Sequence, residues 1–132
     1  MELNIPKEVL VATRDLVEKG WHKGGNLARN IDGHGIDWLE RRATSFTMQG
    51  AFYRAAHKRK VNVGMFICIQ EIITQAIHVV TGRPMYLFDF DDREDTTQES
   101  TLKMLDEAIR ISERGFDVYE PGLEAMQSML AA

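Results

Sequence analysis

The chain has 132 residues, 44% of them hydrophobic and 27% charged, with a net charge of −4 and an isoelectric point near 5.5. That balance excludes a mainly disordered chain, and the acidic excess argues against a dedicated nucleic-acid binder, whose footprint is basic. The one cysteine, Cys68, excludes an intramolecular disulfide frame, and the length suits one hydrophobic core, so a single domain is expected over residues 1–132.

The first residues lack the basic start and apolar core of a secretory leader, so a cytoplasmic location is expected. A first helix is expected over residues 6–19. Pro6 suits its first turn, Val9, Leu16 and Val17 share a face, and Gly20 would stop it in a left-handed conformation. The next stretch, 21–38, holds too many glycines for a helix. Asp32-Gly33 is a turn signal between 27–29 and 36–38, which predicts a small hairpin or ordered loop. A second helix is expected over 44–59, capped by Thr44 or Ser45, with Gly50 permitting close approach of another helix.

A third helix, 63–81, should be the central one. Its polar residues Gln70, Glu71, Thr74, Gln75 and His78 trace one stripe at helical spacing, and they interrupt the apolar run enough to exclude a membrane span or a membrane partner. The stripe reads as a solvated face, as a buried polar network, or as a pocket wall with Glu71 and His78 as its titratable members. Gly82-Arg83-Pro84 ends this helix, and residues 85–90 alternate imperfectly, as a short strand would. A fourth helix starts at Thr96 or Thr97, with Thr96 and Glu99 spaced as a capping box and Gly115 as its stop. Leu123, Met126 and Leu130 have the spacing of a short tail helix, about 122–131. The fold class is therefore mainly α (α+β): about four principal helices around one core, a glycine-rich β-hairpin after the first, and a tail helix.

The familiar chemistries fail residue by residue. No G-x-S-x-G elbow is present, and Cys68 between Ile67 and Ile69 reads as a buried, inert thiol. From Asp89 onward, Arg93, Glu94 and Ser100 stand where a calcium loop needs an oxygen ligand, a glycine and a glutamate. The four histidines have no metal-ligand spacing, so no metal and no cofactor are expected. Gly20–Gly25, with Lys23 inside it, matches neither phosphate-binding fingerprint and reads first as a loop needing positive φ. The basic run His57-Lys58-Arg59-Lys60 suits a helix C-terminus, or an edge that binds an anion.

Four segments stand in a characteristic order: Gly20-Trp21-His22-Lys23-Gly24, then Ala28-Arg29-Asn30-Ile31-Asp32-Gly33, then Gly50-Ala51-Phe52-Tyr53-Arg54-Ala55, then Phe90-Asp91-Asp92 ahead of Thr96-Thr97. Over about residues 9–115 this resembles a family of small uncharacterised proteins found in phages and actinobacteria, with G-W-x-x-G, A-R-[DN]-x-[DE]-G, G-A-x-x-R-A and W-N-D-x(4)-T motifs. The chain departs from it at Phe90-Asp91, where Trp-Asn is usual, and at Phe46–Gln49, where a Trp-Cys pair is usual. The resemblance implies a phage or prophage source and supplies no activity.

Three functions remain in play. The leading expectation is a non-enzymatic binding protein that sequesters a nucleotide-like small molecule or inhibits a host defence factor. Its candidate residues are the stacking surface Trp21 and the cations Lys23, Arg29 and Arg54, with Glu71, His78, Asp91 and Asp92 as further lining. The second is a module that oligomerises through the tail helix. The third is an enzyme using Glu71 and His78, or Asp91 and Asp92.

Overall fold

The computed structural model describes residues 4–114. In chain order these form α1 (Ile5–Lys19), β1 (Ala28–Arg29), β2 (Gly35–Ile36), β3 (Ser45–Phe46), α2 (Met48–Lys58), α3 (Val63–Thr81), α4 (Leu87–Asp92) and α5 (Gln98–Glu113). The expected α+β class holds, with five helices rather than four among the described residues and a third strand beside the hairpin. The tail helix proposed from sequence lies outside the described residues.

Helix α1 begins where Asn4 accepts the Lys7 N–H on its side-chain oxygen, with Pro6 in the first turn. Its buried face of Val9, Leu10, Thr13 and Val17 packs against α5 and α2. Polar ties staple it to α5: the Asn4 amide donates to the Ser112 carbonyl at 3.0 Å, and Gln98 Nε2 donates to the Val17 carbonyl at 2.9 Å. Gly20 does not stop α1 in the left-handed region. Its φ is −170°, ordinary extended backbone, and glycine is required there because a Cβ would lie 2.0 Å from the Thr44 carbonyl oxygen.

The expected hairpin is present. Ala28 faces Ile36 and Arg29 faces Gly35 in antiparallel register, and Asn30 Oδ1 closes the turn by accepting from the Asp32 and His34 N–H groups. On its other side β1 pairs with β3, giving the strand order β2-β1-β3. This displaces the expected start of the second helix. Ser45 and Phe46 belong to the sheet, and the cap of α2 is Thr47, whose hydroxyl accepts the Gly50 N–H at 3.1 Å.

Helix α3 has the bounds read from its periodicity, from the Asn62 cap to Gly82 at φ 78°. Ile69, Ile72, Ile73, Ala76 and Ile77 are buried, chiefly against α5. It is the one described helix long and apolar enough to cross a membrane. Its buried isoleucine face is nevertheless part of the core shared with α1, α2 and α5. The opposite face carries exposed Val63, Ile67, His78 and Val79 among half-buried Glu71, Thr74 and Gln75. Cys68 is half-buried rather than buried, because it stands on the flank between these two faces.

The strand expected at 85–90 is instead the short helix α4. Leu87, Phe90 and Asp91 are its buried residues, and their spacing of three and one is helical. The capping box of α5 is shifted by one residue: Thr97, not Thr96, pairs reciprocally with Ser100, not Glu99. Thr96 is buried instead, and its hydroxyl donates to the Phe90 carbonyl at 2.6 Å.

Candidate functional site

The residues singled out from sequence fall into three places. Trp21, Arg29 and Arg54 surround β3. Trp21 forms a parallel bridge with Phe46 and packs partly buried on the core. Lys23 donates through Nζ to the Glu94 carbonyl, which ties the glycine loop to the turn before α5. Asp91 sits under the start of α2, with Asp92 exposed beside it. Glu71 and His78 stand apart on the outer face of α3, half-buried and exposed respectively. Among the described residues, no three His, Cys, Asp or Glu side chains are grouped so as to hold a metal ion.

Arg54 is buried, at 9% exposure. Its Nη1 donates to two backbone carbonyls, Trp38 at 3.0 Å and Glu40 at 2.8 Å, while its guanidinium lies 5.5 Å from the centre of the Phe46 ring. Its hydrogen-bonding capacity is thus directed at the turn after β2. It positions that turn from behind.

Asp91 accepts the Gln49 N–H at 3.0 Å and a second hydrogen bond from the Met48 N–H. The carboxylate closes the N-terminus of α2, where the helix dipole favours negative charge. Burial pushes its pKa up to about 6, against the pull of the Gln49 and Met48 N–H groups, and the charge on Asp92 adds to the rise. The folded chain therefore holds this proton more tightly than the unfolded chain does. The resulting stability is full below about pH 4 and is lost as pH rises through about 6, a change of roughly 2–3 kcal/mol. Asp91→Asn keeps an oxygen acceptor and removes the titration. Urea denaturation from pH 4 to 7 should show the wild type losing that amount relative to Asp91→Asn; parallel profiles would refute the assignment.

The glycine loop folds over the outer face of the small sheet. His22 bridges it, with Nδ1 2.7 Å from Ser45 Oγ and Nε2 2.5 Å from the Asn26 carbonyl. Since a carbonyl can only accept, Nε2 carries the proton and the Ser45 hydroxyl donates to Nδ1. Burial lowers the basicity of His22, the Asn26 carbonyl opposes this, and the neighbouring Arg29 charge lowers it further.

The concavity that sequence reasoning missed lies between the turn after β2, helix α2 and the start of α3. Trp38, Tyr53, Ala56, His57, Val61 and Phe66 line a groove of about 270 Å³. Trp38 stands edge-on to Tyr53 at 5.7 Å and to His57 at 5.8 Å between centroids. Phe66 stacks on buried Phe52 at 4.8 Å, and the Gln49 amide donates to the Tyr53 hydroxyl at 2.6 Å. One lip is the basic run: His57 and Val61 line the groove, and exposed Lys58, Arg59 and Lys60 lie between them in the chain. None of these three cations has an acidic partner among the described residues. Lys60 has φ 52°, the left-handed conformation, where it continues the α2 C-cap through its N–H to the His57 carbonyl. The run His57–Lys60 was the only sequence signal for this place.

Comparison with known proteins assigns the chain to a family: residues 1–111 match the model of a family of unknown function, DUF6197, and the chain belongs to that family. No curated protein and no solved structure matches it.

Proposed function

We propose that the chain is a binding protein, not an enzyme, and that it takes up a nucleotide-like small molecule in the groove of Trp38, Tyr53, His57 and Phe66. The observation that carries this reading is the pairing of aromatic walls with a cationic lip that has no acidic partner among the described residues. Aromatic walls alone would also suit a quaternary ammonium ion. Lys58, Arg59 and Lys60 on one side repel a cation and attract a phosphate. The groove of about 270 Å³ lies just below the usual span of small-molecule pockets, about 300–1,000 Å³, which suits a single base and not a dinucleotide. A phage-encoded chain that sequesters such a molecule from its host is the setting we propose, supported by the order of the glycine, arginine and aspartate motifs.

The backbone at Lys60 supports the same reading. A non-glycine residue in the left-handed region costs roughly 1 kcal/mol that glycine avoids. A lysine at this position gains for the fold only the weak attraction of its charge for the C-terminus of α2, which does not exceed the backbone cost, so its charge is the feature to explain. Lys60→Gly should therefore raise stability in urea by about 0.5–1 kcal/mol and weaken nucleotide binding severalfold in calorimetric titration with nucleoside monophosphates and cyclic nucleotides. Trp38→Ala should abolish binding, and the unphosphorylated nucleoside should bind roughly tenfold more weakly than its monophosphate. Absence of binding by every nucleotide, or unchanged affinity in Lys60→Gly, would refute the reading.

A further inference from the structure

Arg29 stands on the outer face of the sheet, its neighbour Ala28 pointing into the core. Its Nε is buried and has no hydrogen-bond partner, and no acidic side chain pairs with its guanidinium among the described residues. Arg29 as a whole is half-buried, and a charge partly withdrawn from water is stabilised when a counter-charge pairs with it. Nothing in the described chain does so. Lys23 spends one of its three donors on the Glu94 carbonyl.

The loop over this guanidinium is built from Gly24 and Gly25, at φ 63° and 68°. A Cβ on Gly25 would come within 3.2 Å of Arg29 Nη2, so the bare backbone lies directly against the guanidinium. A Cβ on Gly24 would meet nothing within 4 Å, so the space beyond the loop is open. Two successive residues without side chains leave their N–H groups approachable, as backbone that binds oxyanions does. We propose that Arg29 and the Gly24-Gly25 backbone form an oxyanion site for a phosphate group, either free inorganic phosphate or the phosphate of a small ester. It shares no residue with the aromatic groove and stands or falls separately from the reading above.

The test is a titration of the full chain with inorganic phosphate, followed by nitrogen–proton NMR. Saturable shifts are expected at the Gly24 and Gly25 amides and at the Arg29 Nε–H. Arg29→Gln should weaken binding by roughly tenfold or more. Arg29→Lys keeps the charge, loses the planar fork, and should weaken it severalfold; it serves as the readout if Arg29→Gln does not fold. Phosphate binding should persist in Trp38→Ala, which separates this site from the groove. Methyl phosphate giving the same shifts would identify an ester-bound phosphate as an acceptable ligand, and a response to inorganic phosphate alone would identify the free ion. Unmoved Gly24, Gly25 and Arg29 resonances, or equal affinity in Arg29→Lys, would overturn the proposal.

Discussion

Arg54→Ala should destabilise the fold by about 3–5 kcal/mol, the usual range for breaking a buried, hydrogen-bonded charge interaction. The argument starts from what the guanidinium holds. It donates to the carbonyls of Trp38 and Glu40, and such bonds from a charged donor are worth about 1.5–3 kcal/mol each, though not additively. It also lies against the Phe46 ring, which contributes about 1–2 kcal/mol when partly desolvated. Truncation removes the cost of burying the charge, but it leaves both carbonyls without this donor and a cavity under the turn. Arg54→Lys should recover less than half of the loss, because one ammonium on a flexible stem replaces a planar fork fixed between two acceptors. Urea denaturation of the three proteins decides the matter, and a loss below about 1 kcal/mol for Arg54→Ala would refute it. Trp38 hangs from one of these carbonyls, so the same variant should disorder the wall of the aromatic groove. Ring-proton shifts of Trp38 would report that directly.

Arg54 also shows how far residues in a sequence can be read toward a site. A cation in a G-A-x-x-R-A pattern was expected to meet a ligand, since arginines suit phosphate. Its burial could not be inferred, because the carbonyls it serves belong to residues 14 and 16 positions earlier. The groove residues have the same difficulty. Trp38, Tyr53, His57 and Phe66 lie on three separate segments, and only packing brings them together. The basic run beside His57 was visible because its signal is local.

Among the helices the legibility follows the strength of the local signal. The bounds of α3 are legible because an apolar run of helical period ends at Asn62 on one side and Gly82 on the other. The sequence of α4 reads as a strand because six residues span under two turns, too few to distinguish the two periods. Burial of Leu87, Phe90 and Asp91 decides its conformation. Strand β3 was hidden for a related reason. Ser45 and Phe46 continue into helix-forming sequence without a break, and their pairing with β1 is a long-range contact. That pairing also explains why Thr47 caps α2 although Thr44 and Ser45 stand earlier: both precede the point where the chain leaves the sheet.

Gly50→Ala should destabilise the protein by about 3 kcal/mol net, although the same change in an exposed helix interior stabilises by about 1 kcal/mol. Gly50 was expected to admit another helix; instead it admits the backbone entering β1. A Cβ at this position would lie 2.1 Å from the Leu27 carbonyl oxygen and 2.8 Å from its carbonyl carbon. Backbone cannot swing aside as a side chain can. Leu27 would have to retreat, and its carbonyl would leave the Thr47 N–H that it accepts at 3.1 Å. Overpacking of this kind costs about 3 kcal/mol, and the broken hydrogen bond adds roughly 1 kcal/mol, so the clash outweighs the gain in helix propensity. Gly50 and Arg54 are one helical turn apart. The first lets α2 touch the sheet, and the second reaches from α2 to the turn that follows it, which gives the spacing of the motif a structural cause. The two variants should therefore couple. Double-mutant analysis of Gly50→Ala with Arg54→Ala should show a combined loss at least 0.5 kcal/mol smaller than the sum, because each frees the sheet and its turn from α2. Strict additivity would mean that the two residues hold independent parts of the fold, and would remove this account of the motif.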